Sequence, residues 1–138
     1  MDQTKIVITE TDFRRLRCLI ESARRVRRHD QHCIDELERE VDRAVIVSDA
    51  ELPEDVVAMN SRVRVQDLDT GRTNTYHIVF PASADADRNR ISILAPIGTA
   101  LLGYKRGATV EWRFPAGMRR MRIVAVEYQH EPLGVAAA

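Results

Sequence analysis

Apolar positions in the first third of the chain recur at steps of three and four. Phe13, Leu16, Leu19/Ile20, Ala23 and Val26 share one helical face, uninterrupted by glycine or proline. Thr9 or Thr11 can cap the start, and the helix dipole favours Asp12 in the first turn. The same spacing returns at Ile34, Leu37, Val41 and Ala44/Val45, beyond the polar stretch Arg28-His29-Asp30-Gln31-His32. Two amphipathic helices with so short a connection pack antiparallel, each covering the other's narrow apolar stripe. A helix of about 19 residues is about 28 Å long, so the pair is a short finger.

Residues 48–61, SDAELPEDVVAMNS, read as an acidic, proline-containing connector. From Arg62 the period drops to two. Val63 and Val65 alternate with charged residues, Asp69-Thr70-Gly71 signals a turn, and Thr75 to Phe80 forms a second strand stopped by Pro81. ASADADRNR is a loop, and Ile91 to Leu94 a short strand. Val110, Trp112 and Phe114 alternate again, Pro115-Ala116-Gly117 turns, and Met121 to Tyr128 is the last strand, followed by a tail expected to fray after Pro132. The fold class is therefore α+β. A short N-terminal antiparallel helical hairpin of coiled-coil type covers residues 1–47, and a mainly antiparallel β-sheet domain with one short helix covers 48–138.

Charge sharpens the hairpin. Residues 10–29 hold seven arginines against three acids, and residues 30–47 hold six acids against two arginines. Opposite charges flanking a two-helix seam favour pairing across it, so the run Arg24, Arg25, Arg27, Arg28 faces those acids or solvent rather than forming a nucleic-acid patch. Over the whole chain 21 basic residues balance 21 acidic ones, so any attraction to a polyanion has to come from a local patch. The 138 residues, 30% of them charged, contain no apolar run near the roughly 20 residues of a membrane span. The start, MDQTKIVITETDFRR, lacks the order of a secretory signal, and Cys18 and Cys33 read as reduced thiols of a cytoplasmic protein.

Residues 98–105, GTALLGYK, come close to a phosphate-binding loop without being one. Tyr104 occupies the lysine position, Arg106 stands where a serine or threonine should be, and Leu101-Leu102 call for burial. Pro96 suits the first turn of a helix and Gly103 its exit, so the segment reads as strand, short helix over Pro96–Leu102 and glycine stop. With its flanks, ISILAPIGTALLGYKRG resembles the C-terminal domain of the Gre transcript-cleavage factors. LPEDVVAMNSRVRVQDLDTG (52–71), APIGTALLG (95–103) and VEYQHEP (126–132) resemble the short-fingered branch of that superfamily, the regulators of nucleoside diphosphate kinase (Rnk).

That resemblance implies an FKBP-like compact domain that docks on bacterial RNA polymerase beside the secondary channel, with the hairpin entering the channel. Gre factors carry at the finger tip an Asp followed three residues later by a Glu, which help hold a catalytic magnesium; hard Mg²⁺ needs such carboxylate oxygens together. The tip here, Arg28, His29, Asp30, Gln31 and His32, has one acid, and Asp35 and Glu36 lie more than a turn down the second helix. The implied function is non-catalytic: occupancy of the channel in competition with cleavage factors, with docking residues Ala95, Pro96, Ile97 and Gly98. The alternatives are Gre-like stimulation of transcript cleavage, or direct regulation of nucleoside diphosphate kinase.

Other chemistries are poorly supported. His29, His32 and Cys33, with Cys18 across the seam, have soft-metal spacing but no second Cys/His pair, so solvent-facing histidines and thiols packed at the seam are expected. Trp112 and Phe114 read as the inner face of a strand rather than a prolyl-isomerase pocket. Neither a cofactor nor sequence-specific nucleic-acid binding is expected.

Overall fold

The computed structural model describes residues 6–26, 31–114 and 117–128. Strand β1 (Val7–Thr9) leads directly into α1 (Glu10–Arg25), because Thr9 stays extended and its Oγ1 accepts the Asp12 N–H at 3.1 Å. That bond satisfies one of the amides a helix start leaves without a partner. Helix α2 (Gln31–Arg43) returns antiparallel, as the ion pairs Arg17–Asp42 and Arg24–Asp35 require. Leu16, Ile20 and Ala23 meet Ile34, Leu37 and Val41 in a seam from which water is excluded. Burying an aliphatic side chain of this size is worth about 1.5–3 kcal/mol, so the seam holds the finger together.

The helices are shorter than their periodicity suggests, at 16 and 13 residues, or about 24 and 20 Å. Val26 caps α1 in an extended conformation and is 44% exposed. Val45 belongs to strand β2 (Val45–Val47), which pairs with β1 in parallel register, Val7 opposite Val45 and Thr9 opposite Val47. A three-residue strand within a helical repeat leaves no period to read. Cys18, expected at the seam, faces solvent between Leu16 and Ile20; Cys33 is half-buried.

The second half is a five-stranded sheet in the order β5-β4-β3-β7-β6, formed by β3 (Ser61–Asp67), β4 (Thr73–Val79), β5 (Arg90–Ser92), β6 (Thr109–Phe114) and β7 (Gly117–Tyr128). It is mixed, not antiparallel throughout: β5 runs parallel to β4, with Ile91 opposite Ile78. The loop after Pro81 spends two 3-10 turns, Pro81–Ser83 and Ala86–Arg88, and a left-handed Asn89 (φ 56°) before regaining the sheet edge. That length permits the crossover a parallel partner needs and a tight hairpin forbids. The last strand also begins earlier than Met121, at Gly117.

One sheet face carries Val63, Val65, Ile78, Val110, Met121 and Ile123 into the core, where α3 (Pro96–Leu101) lies against it with Ile97 and Leu101. The expected connector is partly core: Val57 and Met59 are completely buried or nearly so. Their backbone explains it, since Val57 N–H donates to Tyr104 O at 2.8 Å and Gly103 N–H donates to Val57 O at 2.9 Å.

Candidate functional site

The residues singled out by sequence fall on two separate parts of the molecule. At the finger end, Gln31 and His32 open α2 and are exposed, while Arg28, His29 and Asp30 lie outside the described residues. His32 Nε2 lies 3.9 Å from Glu36 Oε1, one turn on. Among the described residues no group of three or more His, Cys, Asp or Glu side chains converges as a metal site.

Below the end, the carboxylates of α2 are engaged. Arg24 reaches Asp35 at 2.9 Å and also pairs with Glu38; Arg17 bridges Glu38 at 3.6 Å and Asp42 at 2.8 Å. Glu36 accepts from Arg39 at 2.6 Å on its own helix. Glu38, and after it Asp35, hold the Arg24 guanidinium above its ordinary pKa, so it stays a cation. The charge asymmetry of the two helices is thus spent largely within the hairpin. A magnesium ion would have to displace these arginines before it reached Asp35 or Glu38.

The second part is the start of α3. Ser92 Oγ accepts the Leu94 N–H at 3.0 Å and Ser92 O accepts the Ala95 N–H at 2.9 Å, which turns the chain from β5 into the helix. Pro96 takes the first helical position, where its missing N–H costs nothing. Thr99, buried, fixes the turn from below by donating its hydroxyl to Ile93 O at 2.8 Å. Of the four docking candidates Pro96 is exposed and Ala95 half-exposed, whereas Ile97 and Gly98 are buried. A Cβ at Gly98 would come within 2.7 Å of Ser92 O, so this glycine lets α3 approach β5 closely.

Sequence reasoning missed the junction between the two parts. Thr11 Oγ1 donates to Asp49 Oδ2 at 2.6 Å, and Asp12 Oδ2 accepts the Met59 N–H at 3.1 Å. Ser61 Oγ accepts the Ala58 N–H at 2.9 Å in the same groove, whose volume is about 450 Å³. Arg15 lies over the Phe80 ring, 4.3 Å from its centroid. These partners are 38 to 65 residues apart or in an irregular segment, where no period announces them. On the far side, Arg43 Nη2 donates to Tyr104 Oη at 2.9 Å, tying the end of α2 to the residue after Gly103.

A two-helix finger rooted on a mixed-sheet domain with a Pro-initiated helix on one face defines a protein of the Gre factor class. Residues 52–128 match the C-terminal domain of transcription elongation factors GreA/GreB, and residues 4–47 match the Rnk N-terminus. The chain belongs to this family, in its Rnk branch. It is 34% identical to the regulator of nucleoside diphosphate kinase of Escherichia coli K12 over 97% of both chains. It is 35% identical to transcription elongation factor GreA of Bradyrhizobium diazoefficiens, over 78% of this chain and 69% of that one. A solved transcription elongation factor GreA/GreB from Nitrosomonas europaea superposes with a TM-score of 0.73 and 38% identity, covering 91% of this chain and all of that one. The protein is accordingly a regulator of the transcription-elongation-factor type. Its named relatives are regulators and factors, and no helix among the described residues is long and apolar enough to cross a membrane.

Proposed function

We propose that this protein docks on bacterial RNA polymerase through the start of α3, places its finger at the secondary channel, and competes there with Gre-type cleavage factors without cutting RNA itself. The compact body, taken as FKBP-like and as a unit over 48–138, is the docking part; the hairpin over 1–47 is the plug. One observation carries the non-catalytic half of this reading. Asp35, Glu36 and Glu38, the acids on the first two turns of α2, are each paired with an arginine. Paired carboxylates offer a divalent cation only what remains after the guanidinium is displaced. The exposed Pro96 beside Ala95 supports the docking half, as a rigid corner presented by a fixed turn.

A transcript-release assay on backtracked polymerase tests the proposal. The expected result is inhibition of an added cleavage factor with no new RNA ends. Protein-dependent shortening of the RNA would establish the cleavage reading instead. Docking is checked separately by polymerase pull-down with Pro96→Asp, which should weaken capture; Ile97 is left intact because it is buried in the core. The name of the Escherichia coli relative favours a second reading, direct action on nucleoside diphosphate kinase. A kinase assay with purified components separates the two, since competition at polymerase leaves that activity unchanged.

A further inference from the structure

The sheet has a second face, turned away from α3, and its register collects arginines there. Arg62 is opposite His77 on β4 and Glu127 on β7, and His77 is opposite Arg90 on β5. Arg64 lies two residues along β3, and Arg122 is opposite Gln66 and Thr109. Residues opposite one another across a sheet share a face, as do alternate residues along a strand. Arg90, Arg62, Arg64 and Arg122 therefore make a diagonal stripe across four strands. Arg62, Arg64 and Arg122 are exposed and Arg90 half-exposed.

Among the described residues none of these four arginines forms an ion pair with a carboxylate, although Glu127 stands across from Arg62, in contrast to Arg88, Arg119 and Arg120, which reach Asp85, Asp67 and Asp69. On the finger, Arg17 and Arg24 are likewise engaged by the acids of α2, while Arg14 and Arg25 are exposed on α1. A chain of zero net charge therefore carries a local cationic strip. We propose that this face binds the phosphate backbone of single-stranded RNA without regard to sequence.

Three features choose that occupant. Arginine's planar fork suits phosphate, and about four such contacts suffice for a salt-sensitive complex of modest affinity. Among the described residues this face offers a protein partner one large aliphatic anchor, Met118 at the start of β7 (52% exposed), since Val63, Val65, Ile78, Val110, Met121 and Ile123 point to the core. Among the described residues it also presents no stacking ring, because Tyr76 and Trp112 pack on the core side, so bases are not read. Thr75 and Gln66 lie between the arginines, and Thr109 beside Arg122 on the edge strand β6, all on the same face, and they offer hydrogen bonds to a 2′-hydroxyl. Polymerase docking is not needed for this contact, so the two proposals stand or fall separately.

The test is fluorescence anisotropy of the full chain with a labelled 15-nucleotide RNA, the same sequence as DNA, and poly-glutamate of equal charge. RNA should bind most tightly, with log K falling against log salt at a slope of about −3, the value for four phosphates on a single strand. Arg62→Gln plus Arg64→Gln should weaken RNA binding by about tenfold or more at low salt and reduce that slope to about half. The matched pair Arg14→Gln plus Arg25→Gln, on the exposed side of α1, should change neither. Equal binding of poly-glutamate or DNA, an equal loss from the α1 pair, or no RNA binding at 50 mM salt would each overturn the assignment. Circular dichroism checks that both pairs of substitutions leave the fold intact.

Discussion

Met59 donates its backbone N–H to Asp12 Oδ2 at 3.1 Å, across 47 residues of sequence and between two buried residues. The same aspartate gives its own amide to Thr9. One side chain thus starts α1 and fastens it to the segment that leads into β3. Asp12→Ala leaves the Met59 amide buried and unpaired, and should cost about 1–3 kcal/mol in urea unfolding. Asp12→Asn keeps an acceptor and should cost visibly less.

Gly103 and Gly107 both have positive φ, 85° and 92°, but different surroundings. A Cβ at Gly103 would lie 2.5 Å from Ile6 Cβ, while one at Gly107 meets nothing within 4 Å. Gly107→Ala bears backbone strain alone, about 1 kcal/mol. Gly103→Ala adds overpacking and should cost at least about 2 kcal/mol more than that, measured in the same denaturant series.

Arg24 is the cationic hub of the finger, shared by Asp35 and Glu38. Arg24→Glu should loosen the outer half of the hairpin, read as faster amide exchange over residues 31–37, with the sheet amides unchanged. Adding Glu38→Arg restores opposite charges across the seam and should recover much of the protection. Salt should weaken both effects, because the groups are near the surface.

His77 Nε2 is buried with no hydrogen-bond partner. Burial first, then the charges of Arg90 and Arg62, hold its pKa below the ordinary 6.5, against a hydrogen bond with the Asn60 backbone that raises it. Below pH 6.5 the unfolded chain therefore binds more protons than the folded one, and stability falls as pH drops from there toward the depressed folded-state value. Above it the group contributes no pH dependence. Urea midpoints from pH 7.5 to 5 should show this slope, and His77→Gln should flatten it.

The hairpin and the alternating strands were legible because each repeats a spacing: the seam of Leu16, Ile20, Ile34 and Leu37, and the inward Val63 and Val65. What escaped has no period. Strand β2 is three residues at the end of a helical stripe, and β5 takes its parallel direction from a loop whose turns depend on Asn89. The burial of Val57 and Met59 depends on backbone bonds to Gly103 and Tyr104 and on Asp12, all distant in sequence. At the docking candidates the letters marked the place correctly as a helix start, but not which side chains face outward. Ile97 and Gly98 are turned inward by the close approach of α3 to Ser92.

The crossing at Gly103 has a mechanical consequence. Its carbonyl accepts Val7 N–H at 3.1 Å and its amide donates to Val57, while Ile6 occupies the space a side chain would need. The root of the prong and the body are therefore joined through one shared residue, by the two peptide units that flank its Cα, with no slack for a swivel. Once the body is seated on a partner, the heading of the prong follows from it, and a change of aim would require tearing backbone bonds rather than turning a joint.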